Sequence, residues 1–373
     1  MITKLHINNF KSHKDTLLEL SNLTLLCGQN GVGKSSIVQS LLLLRQTYRK
    51  GILSEGIDLN LPLVEIGNAL DALYMNAQEN FVGINISETN GQNWLWQFKF
   101  DDTKSNSTFL DIIAQEGDLK FLKNLSLFNK NFQYLSAARL SPRESYPKND
   151  YEVEKNYQLS LEKGQGELVA HFLYHYGKVN IESETLLNTG VPFKDLLSQT
   201  TAWEREISKN INVKVEEIGK GYEIKYSFDV EEGFPTNDFR SENVGFGVSY
   251  VLPIIVAILS MPKDGLIILE NPEAHLHPHG QAKLAELICL AAQTGIQVIV
   301  ETHSDHIING CLVACKKEQI NADNIKIYYF NRDEKMHAAK AIEVPVHKGG
   351  KIKNPPIGFF DQIATDRKYL MGF

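Results

Sequence analysis

The segment Gly28-Gln29-Asn30-Gly31-Val32-Gly33-Lys34-Ser35 has the spacing G-x-x-x-x-G-K-[ST], a pattern suited to holding phosphates. Glycines at 28, 31 and 33 let the backbone turn tightly, so that consecutive N–H groups face phosphate oxygens. Lys34 is placed to reach the β- and γ-phosphates of a nucleotide, and the Ser35 hydroxyl to ligate Mg²⁺. Asn30 and Ser36 complete the candidate cradle. The alternative is a glycine-rich turn without a ligand, and the strand and helix expected on its two sides argue against it.

Further chemistry gathers late in the chain. The apolar run 266–269 ends at Glu270, which puts a carboxylate at the C-terminal end of a buried parallel strand, where open α/β sheets bind ligands. Asn271 and Glu273 follow, and a second apolar run, 297–302, ends at His303. Glu270, Asn271, Glu273 and His303 are the candidate catalytic set. Gly245, Gly247 and Ser249 open a strongly apolar helix, a second geometry in which a helix N-terminus faces phosphate. His275, His277, His279, His303 and His306 are read as a turn, a helix start and a strand end rather than as a metal centre. Arg139 and Arg143 flank a proline turn, where they face either phosphates or solvent.

The flanking elements suit these roles. Residues 23–27 form a short apolar run that reads as a buried strand, and 36–49 read as the helix whose positive dipole end meets the phosphates. Leu5, Ile7 and Phe10, then Leu17, Leu18 and Leu20, alternate with polar residues as a strand pair. Residues 81–86 and 94–100 read as strands around an Asn90-Gly91 turn, and the rest of 57–130 as loops. Residues 132–138 read as a strand and 144–160 as an exposed loop. Helices are expected at 168–173 and 191–209, then a hairpin at 211–228. A helix is expected from Pro278 to about 293, another over 305–315, and a strand over 325–330. No sustained heptads occur in 51–240.

The 373 residues suffice for one large domain or two ordinary ones, and 43% hydrophobic with 22% charged content is globular. A net charge of −7 gives no overall attraction to nucleic acid or anionic membrane, although a local basic patch remains compatible with it. The four cysteines make no disulfide framework, and Cys311 and Cys315 read as buried thiols. No signal peptide and no membrane-length apolar run is visible, so the expected compartment is the cytoplasm.

Phosphate loop and acid-ended strand lie far apart in sequence, with an insertion between two halves of one site. This arrangement resembles the ATP-binding-cassette ATPases of the RecF, SMC and OLD-nuclease group over most of the chain. Leu5-His6-Ile7-Asn8-Asn9-Phe10-Lys11 resembles the group's opening strand, residues 28–35 its Walker A loop, 244–249 its signature and 266–270 its Walker B strand. Residues 275–278 look like the D-loop and His303 like the switch histidine. ENPEAHLHP, ETHSDHIING and PPIGFFDQ resemble a bacterial subfamily with a short C-terminal domain of unknown function. The resemblance implies an α/β P-loop fold: a mixed sheet with flanking helices, an added antiparallel β lobe, and a helical/β insertion between Walker A and signature. It implies a homodimer sandwiching two ATP molecules, with Gly245, Gly247 and Ser249 touching the γ-phosphate in trans. Mg²⁺ would be held by Ser35 and Glu270, and His303 would sense the γ-phosphate.

One position departs from the pattern. Where the group has a second acid after the apolar strand, this chain has Asn271, which orients a water but takes no proton from it. Either Glu273 or Glu301 substitutes, or hydrolysis is slow and ATP mainly holds a closed state; slow hydrolysis is the preferred reading. The expected organisation is a lobe over 1–56, an insertion over 57–240, a second lobe over 241–335 and an extension over 336–373. The expected function is an ATPase that dimerises around ATP and switches a partner effector such as a nuclease, as related subfamilies do in anti-phage defence. A RecF- or SMC-like DNA-clamping ATPase is the alternative. A self-contained OLD-type nuclease would need a further acidic domain, for which the residues after 330 are too few.

Overall fold

The computed structural model describes residues 1–140, 142–230, 234–360 and 362–371. Ser141 of the 139–143 turn and Asp361 of the closing aromatic turn lie outside the described residues.

Apolar runs without alternation need both faces covered, and here they build the central sheet. Its order is Ala339–Glu343, Ile325–Arg332, Leu23–Gly28, Gln297–Glu301, Leu266–Glu270, Phe132–Leu135. All neighbours are parallel except Ala339–Glu343, which pairs antiparallel as an edge strand. That strand belongs to the segment expected as a separate extension. The register sets Glu270 opposite Glu301 and Glu301 opposite Leu26, so the phosphate loop and both acids lie at one end of the sheet.

A second, antiparallel sheet runs His13–Glu19, Ile2–Phe10, Phe81–Glu88, Asn93–Lys99, Phe109–Glu116, Gly56–Asp58. Its inner face supplies Ile7, Trp94, Trp96 and Phe98, which pack with the apolar face of helix Lys34–Arg49 and with Leu26 and Ile268 of the central sheet. The phosphate-loop helix is therefore held by both sheets. Gln297 clamps them at the far end, accepting from Ile2 N–H at 3.0 Å and donating to Ile2 O at 2.7 Å. Strands Phe109–Glu116 and Gly56–Asp58 correct the expectation of loops there. Only Leu110 of the former is buried, so its alternation is hidden in sequence.

The other face of the central sheet carries helices Phe246–Ser260, Pro278–Gln293 and Asp305–Lys316, with the insertion packed outside them. The insertion comprises helices Val169–Tyr176 and Leu196–Ile207 and the hairpin Ile211–Ile218 with Gly221–Phe228. Asp195 starts the second helix by accepting from Ser198 N–H at 3.0 Å, which trims the expected 191 start. Residues 144–160 are not an exposed loop: Tyr146, Val153 and Leu159 are core residues. Strand 132–138 ends early, at Leu135. All four cysteines are buried and unpaired. Among the described residues no helix is long and apolar enough to cross a membrane.

Candidate functional site

The phosphate loop is fixed by contacts that its glycines permit. Gly28 has φ 136°, and a Cβ there would lie 2.3 Å from Phe330 O on the neighbouring strand. Gly33 has φ 104°, and a Cβ would meet Ser12 Oγ at 2.5 Å. The hairpin turn of the antiparallel sheet thus presses on the loop from above. His13, fully buried, hydrogen-bonds Thr16 Oγ1 through Nδ1 at 2.9 Å and Gly33 O through Nε2 at 2.9 Å. Burial, partly offset by the Gly33 carbonyl, pushes its imidazole down to about 4. Arg332 donates to Gly31 O, and Lys11 donates to Gln39 Oε1 at 3.0 Å. Neither cation stands out in the sequence as part of the site, although Lys11 falls in the Asn-Phe-Lys turn.

Helix Lys34–Arg49 begins at the loop with Gly33 as its N-cap and no side-chain cap, leaving its first N–H groups for a ligand. Lys34 is buried and donates Nζ to Gln29 O at 2.6 Å and Gly28 O at 3.1 Å. Burial lowers its pKa, and the Glu301 charge opposes that shift. Asn30, Gly31 and Ser35 are exposed, and Ser36 is buried. A cleft of about 520 Å³ opens here, lined by Lys11, Lys34, Ser35, Glu301, His303 and Arg332. A smaller hollow of about 320 Å³ shares Lys11, Ser12 and Arg332 and adds Leu73, Met75 and His337. A larger cavity of about 630 Å³ lies elsewhere, between Tyr157, Tyr176, Leu196 and Met261; it has none of these groups.

The acids come together as the parallel register dictates. Ser35 Oγ donates to Glu301 Oε1 at 2.8 Å. Glu270, expected as the partner of Ser35, instead accepts at Oε2 from Ala137 N–H at 3.2 Å and interacts with the Tyr134 hydroxyl. Glu273 Oε1 accepts from His303 N–H at 2.8 Å, tying the 271–276 turn to His303. Glu301 Oε2 and Glu273 Oε2 are buried without a hydrogen-bond partner. Such oxygens, with Ser35 beside them, fit a hard divalent cation and its waters. Burial and then the Glu270 charge push the Glu301 carboxyl up to about 7, and burial also raises Glu270. His303 keeps much of its surface exposed, while partial desolvation of its ring and then the Lys34 charge lower its pKa, and its ring interacts with the Gly28 backbone.

Asn271 takes φ 44° and donates its N–H to Glu301 O at 2.8 Å, so it braces the acid's backbone. Arg139 neither faces solvent nor lines the cleft. It is 5% exposed and donates to the carbonyls of Ser136 at 2.6 Å, Glu270 at 2.8 Å, Asn271 at 2.9 Å and Tyr250 at 3.3 Å. Its guanidinium stacks 4.2 Å from the Tyr250 ring centroid. The acid strand is thereby fastened to helix Phe246–Ser260.

That helix starts with Gly245 and Phe246 exposed, no side-chain cap and no acidic residue in its first turn. Gly247 lies under the D-loop-like turn, where a Cβ would sit 2.4 Å from His275 O. His275, at φ 63°, contacts the ring of Phe246 with centroids 4.5 Å apart. Ser249 does not reach the surface: helical periodicity turns it inward, and it is 6% exposed beside Tyr226. His277 caps helix Pro278–Gln293 by accepting from His279 N–H.

Asp150, Glu154 and His171 bring ligand atoms within 4.8 Å of one another. His171 Nδ1 accepts from Asn149 N–H at 3.1 Å, so in the neutral ring the proton sits on Nε2, which faces Asp150 Oδ1 at 3.4 Å. A ring in that tautomer offers no lone pair to a metal.

Comparison with known proteins agrees with this architecture. The SMC head bound to the C-terminal winged-helix domain of ScpA is similar to the chain at TM-score 0.57 and 15% identity, covering 93% of this chain and 98% of that one. An SMC head from Pyrococcus furiosus with an extended coiled coil, bound to the C-terminal domain of ScpA, is similar at TM-score 0.51 and 13% identity, covering 99% of both chains. These likenesses establish the fold of an SMC-type ATPase head. No curated protein sequence matches the chain. Residues 320–368 match the family described as a protein of unknown function, DUF3696. The profile described as "AAA domain, putative AbiEii toxin, Type IV TA system" matches residues 23–309, so the chain belongs to that AAA-domain family, within the wider RecF/SMC/OLD-like group of ATPases.

Proposed function

We propose that the chain binds ATP with Mg²⁺ in the 28–36 cleft, hydrolyses it slowly, and closes as a homodimer around it to switch a separate effector protein in bacterial defence. The observation that carries the reading is the buried Lys34, held by the loop's own carbonyls at an uncapped helix N-terminus next to Ser35 and Glu301. A buried ammonium bound only to carbonyls is a costly arrangement that an incoming phosphate relieves. The adjoining hollow, with Leu73 and Met75, offers apolar walls to a base. Gly245 and Phe246, exposed at a second uncapped helix start, suit the trans half of a partner's site. His303 and Glu273, tied together, would carry the γ-phosphate's presence into the 271–276 turn. The effector reading draws on the family description, which names a toxin, and on the SMC heads, whose titles record binding to ScpA.

DNA clamping is the second reading, favoured by the SMC-head fold. Net charge of −7 weighs against it.

The test is ATP-dependent dimerisation followed by light scattering. Gly245→Arg is the informative variant, because a Cβ at 245 meets nothing within 4 Å, whereas any side chain at 247 collides with His275. Gly245→Arg is expected to remain monomeric with ATP while binding it normally. Dimerisation that survives this change would sink the sandwich. Duplex DNA titrated with and without ATP separates the second reading from the first.

A further inference from the structure

Two carboxylates end on neighbouring parallel strands, Glu270 and Glu301, directly opposite in register. By motif alone the metal-holding acid is Glu270. The side chains divide the work differently. Glu270 turns away from the phosphate loop toward strand Phe132–Leu135, where Ala137 N–H and the Tyr134 hydroxyl engage it. Glu301, on the strand that lies between Glu270 and the loop, turns to Ser35.

We infer that Glu301, not Glu270, is the carboxylate that shares the divalent cation with Ser35, so that the metal-holding acid stands one strand nearer the phosphate loop than the motif implies. The inference rests on the nucleotide reading above. Three observations support it. Ser35 Oγ and Glu301 Oε1 are 2.8 Å apart. Neighbouring ligands of an octahedral Mg²⁺, with metal–oxygen distances of about 2.1 Å, lie about 3.0 Å apart, so the pair is already close to one edge of that octahedron. Glu301 Oε2 is buried with no hydrogen-bond partner, an oxygen whose lone pairs a cation or its waters would satisfy. Glu270 has protein donors in place of that deficit.

This arrangement also explains Asn271. Glu270 stands directly opposite Glu301 in register, and Glu273 Oε1 is tied to the N–H of His303, two residues beyond Glu301. A fourth acid at 271 would add like charge to a buried cluster before any cation arrives. Asn271 adds none, and its type tolerates the left-handed backbone, φ 44°, that the turn requires there. Glu270 is left as a positioning residue that joins the acid strand to the turn after strand Phe132–Leu135.

The experiment uses the full chain with ATP and Mn²⁺ as the probe, reading bound Mn²⁺ by electron paramagnetic resonance in the wild type, Glu301→Gln and Glu270→Gln. ATP binding in EDTA and thermal melting check that each variant is folded and loads nucleotide. Glu301→Gln is expected to weaken nucleotide-dependent Mn²⁺ binding about tenfold or more, with metal-free ATP binding unchanged. Glu270→Gln is expected to stay within about threefold of wild type, less than the usual loss for a metal-site residue. Loss in Glu270→Gln, alone or equal to that in Glu301→Gln, overturns the inference, as does full retention in Glu301→Gln. Wild-type protein that binds no ATP at all overturns the nucleotide reading itself, which is a different result from any of these.

Discussion

The chain carries two uncapped helix starts suited to phosphate, and they are built in opposite ways. At Lys34 the start is dense with charge: a buried ammonium, a serine on a carboxylate, and Lys11 and Arg332 on the rim. At Gly245 there is no charge, only backbone N–H groups, an exposed Phe246 and a histidine packed on it. A triphosphate needs cations to offset its charge, and neutral amides with a helix dipole supply much less. The difference implies an order of events. On the proposed reading, the first start would load nucleotide by itself, and the second would only add to a phosphate that the first has already neutralised.

That order is most directly challenged at Lys34. Lys34→Ala is expected to weaken ATP binding about a thousandfold, ~4 kcal/mol, in a titration with a fluorescent analogue, while the melting temperature without nucleotide stays unchanged. If Gly245→Arg costs as much affinity, the two starts are equivalent and the order is wrong. Arg139→Ala comes next. It leaves four carbonyls without their donor between the acid strand and helix Phe246–Ser260. A stability loss of about 3 kcal/mol is expected in urea titrations, with Arg139→Lys recovering only part of it. A loss under about 0.5 kcal/mol, the size of an ordinary surface change, would mean that the two halves are not fastened there.

The third prediction concerns pH and the roof over the first start. His13 titrates at about 4 in the fold and near 6.5 when unfolded. The fold therefore holds it neutral, and its contribution is complete above pH 6.5. Below that pH the unfolded chain takes up the proton first, so stability falls as pH drops toward 4, by about 3 kcal/mol in all. His13→Gln is expected to flatten this acid limb in pH-dependent melting; an unchanged slope would remove His13 as its source. The smallest effect belongs to the second start. Phe246→Ala, at an exposed ring, is expected to cost no more than about 1 kcal/mol of stability. In an analytical ultracentrifuge it is nevertheless expected to weaken ATP-dependent association; unaltered association would place the contact elsewhere.

Most of the central sheet could be read from the amino acids. Runs such as Leu266-Ile267-Ile268-Leu269 are buried on both faces, and Gly28, Pro278 and His303 punctuate them clearly. Strand Phe109–Glu116 was not legible because one-sided burial reaches it only at Leu110. Tyr146, Val153 and Leu159 do not show as core in the sequence, because polar residues separate them and no single period joins them. In the site, the residue types were legible but not their pairing. Whether Ser35 meets Glu270 or Glu301 depends on which strand lies beside the loop, a relation between segments some 270 residues apart in the chain. Arg139 was ambiguous for the same reason, since its four acceptors come from three separate segments.

The contacts around Gly28 and Gly33 have an evolutionary reading. A side chain at 28 would collide with the Phe330 carbonyl, and one at 33 with Ser12, whether or not a nucleotide is ever bound. Selection for folding alone would thus preserve two glycines of the phosphate loop. A descendant that had lost nucleotide binding through Lys34 would still display both, and its sequence would go on advertising an activity it no longer had.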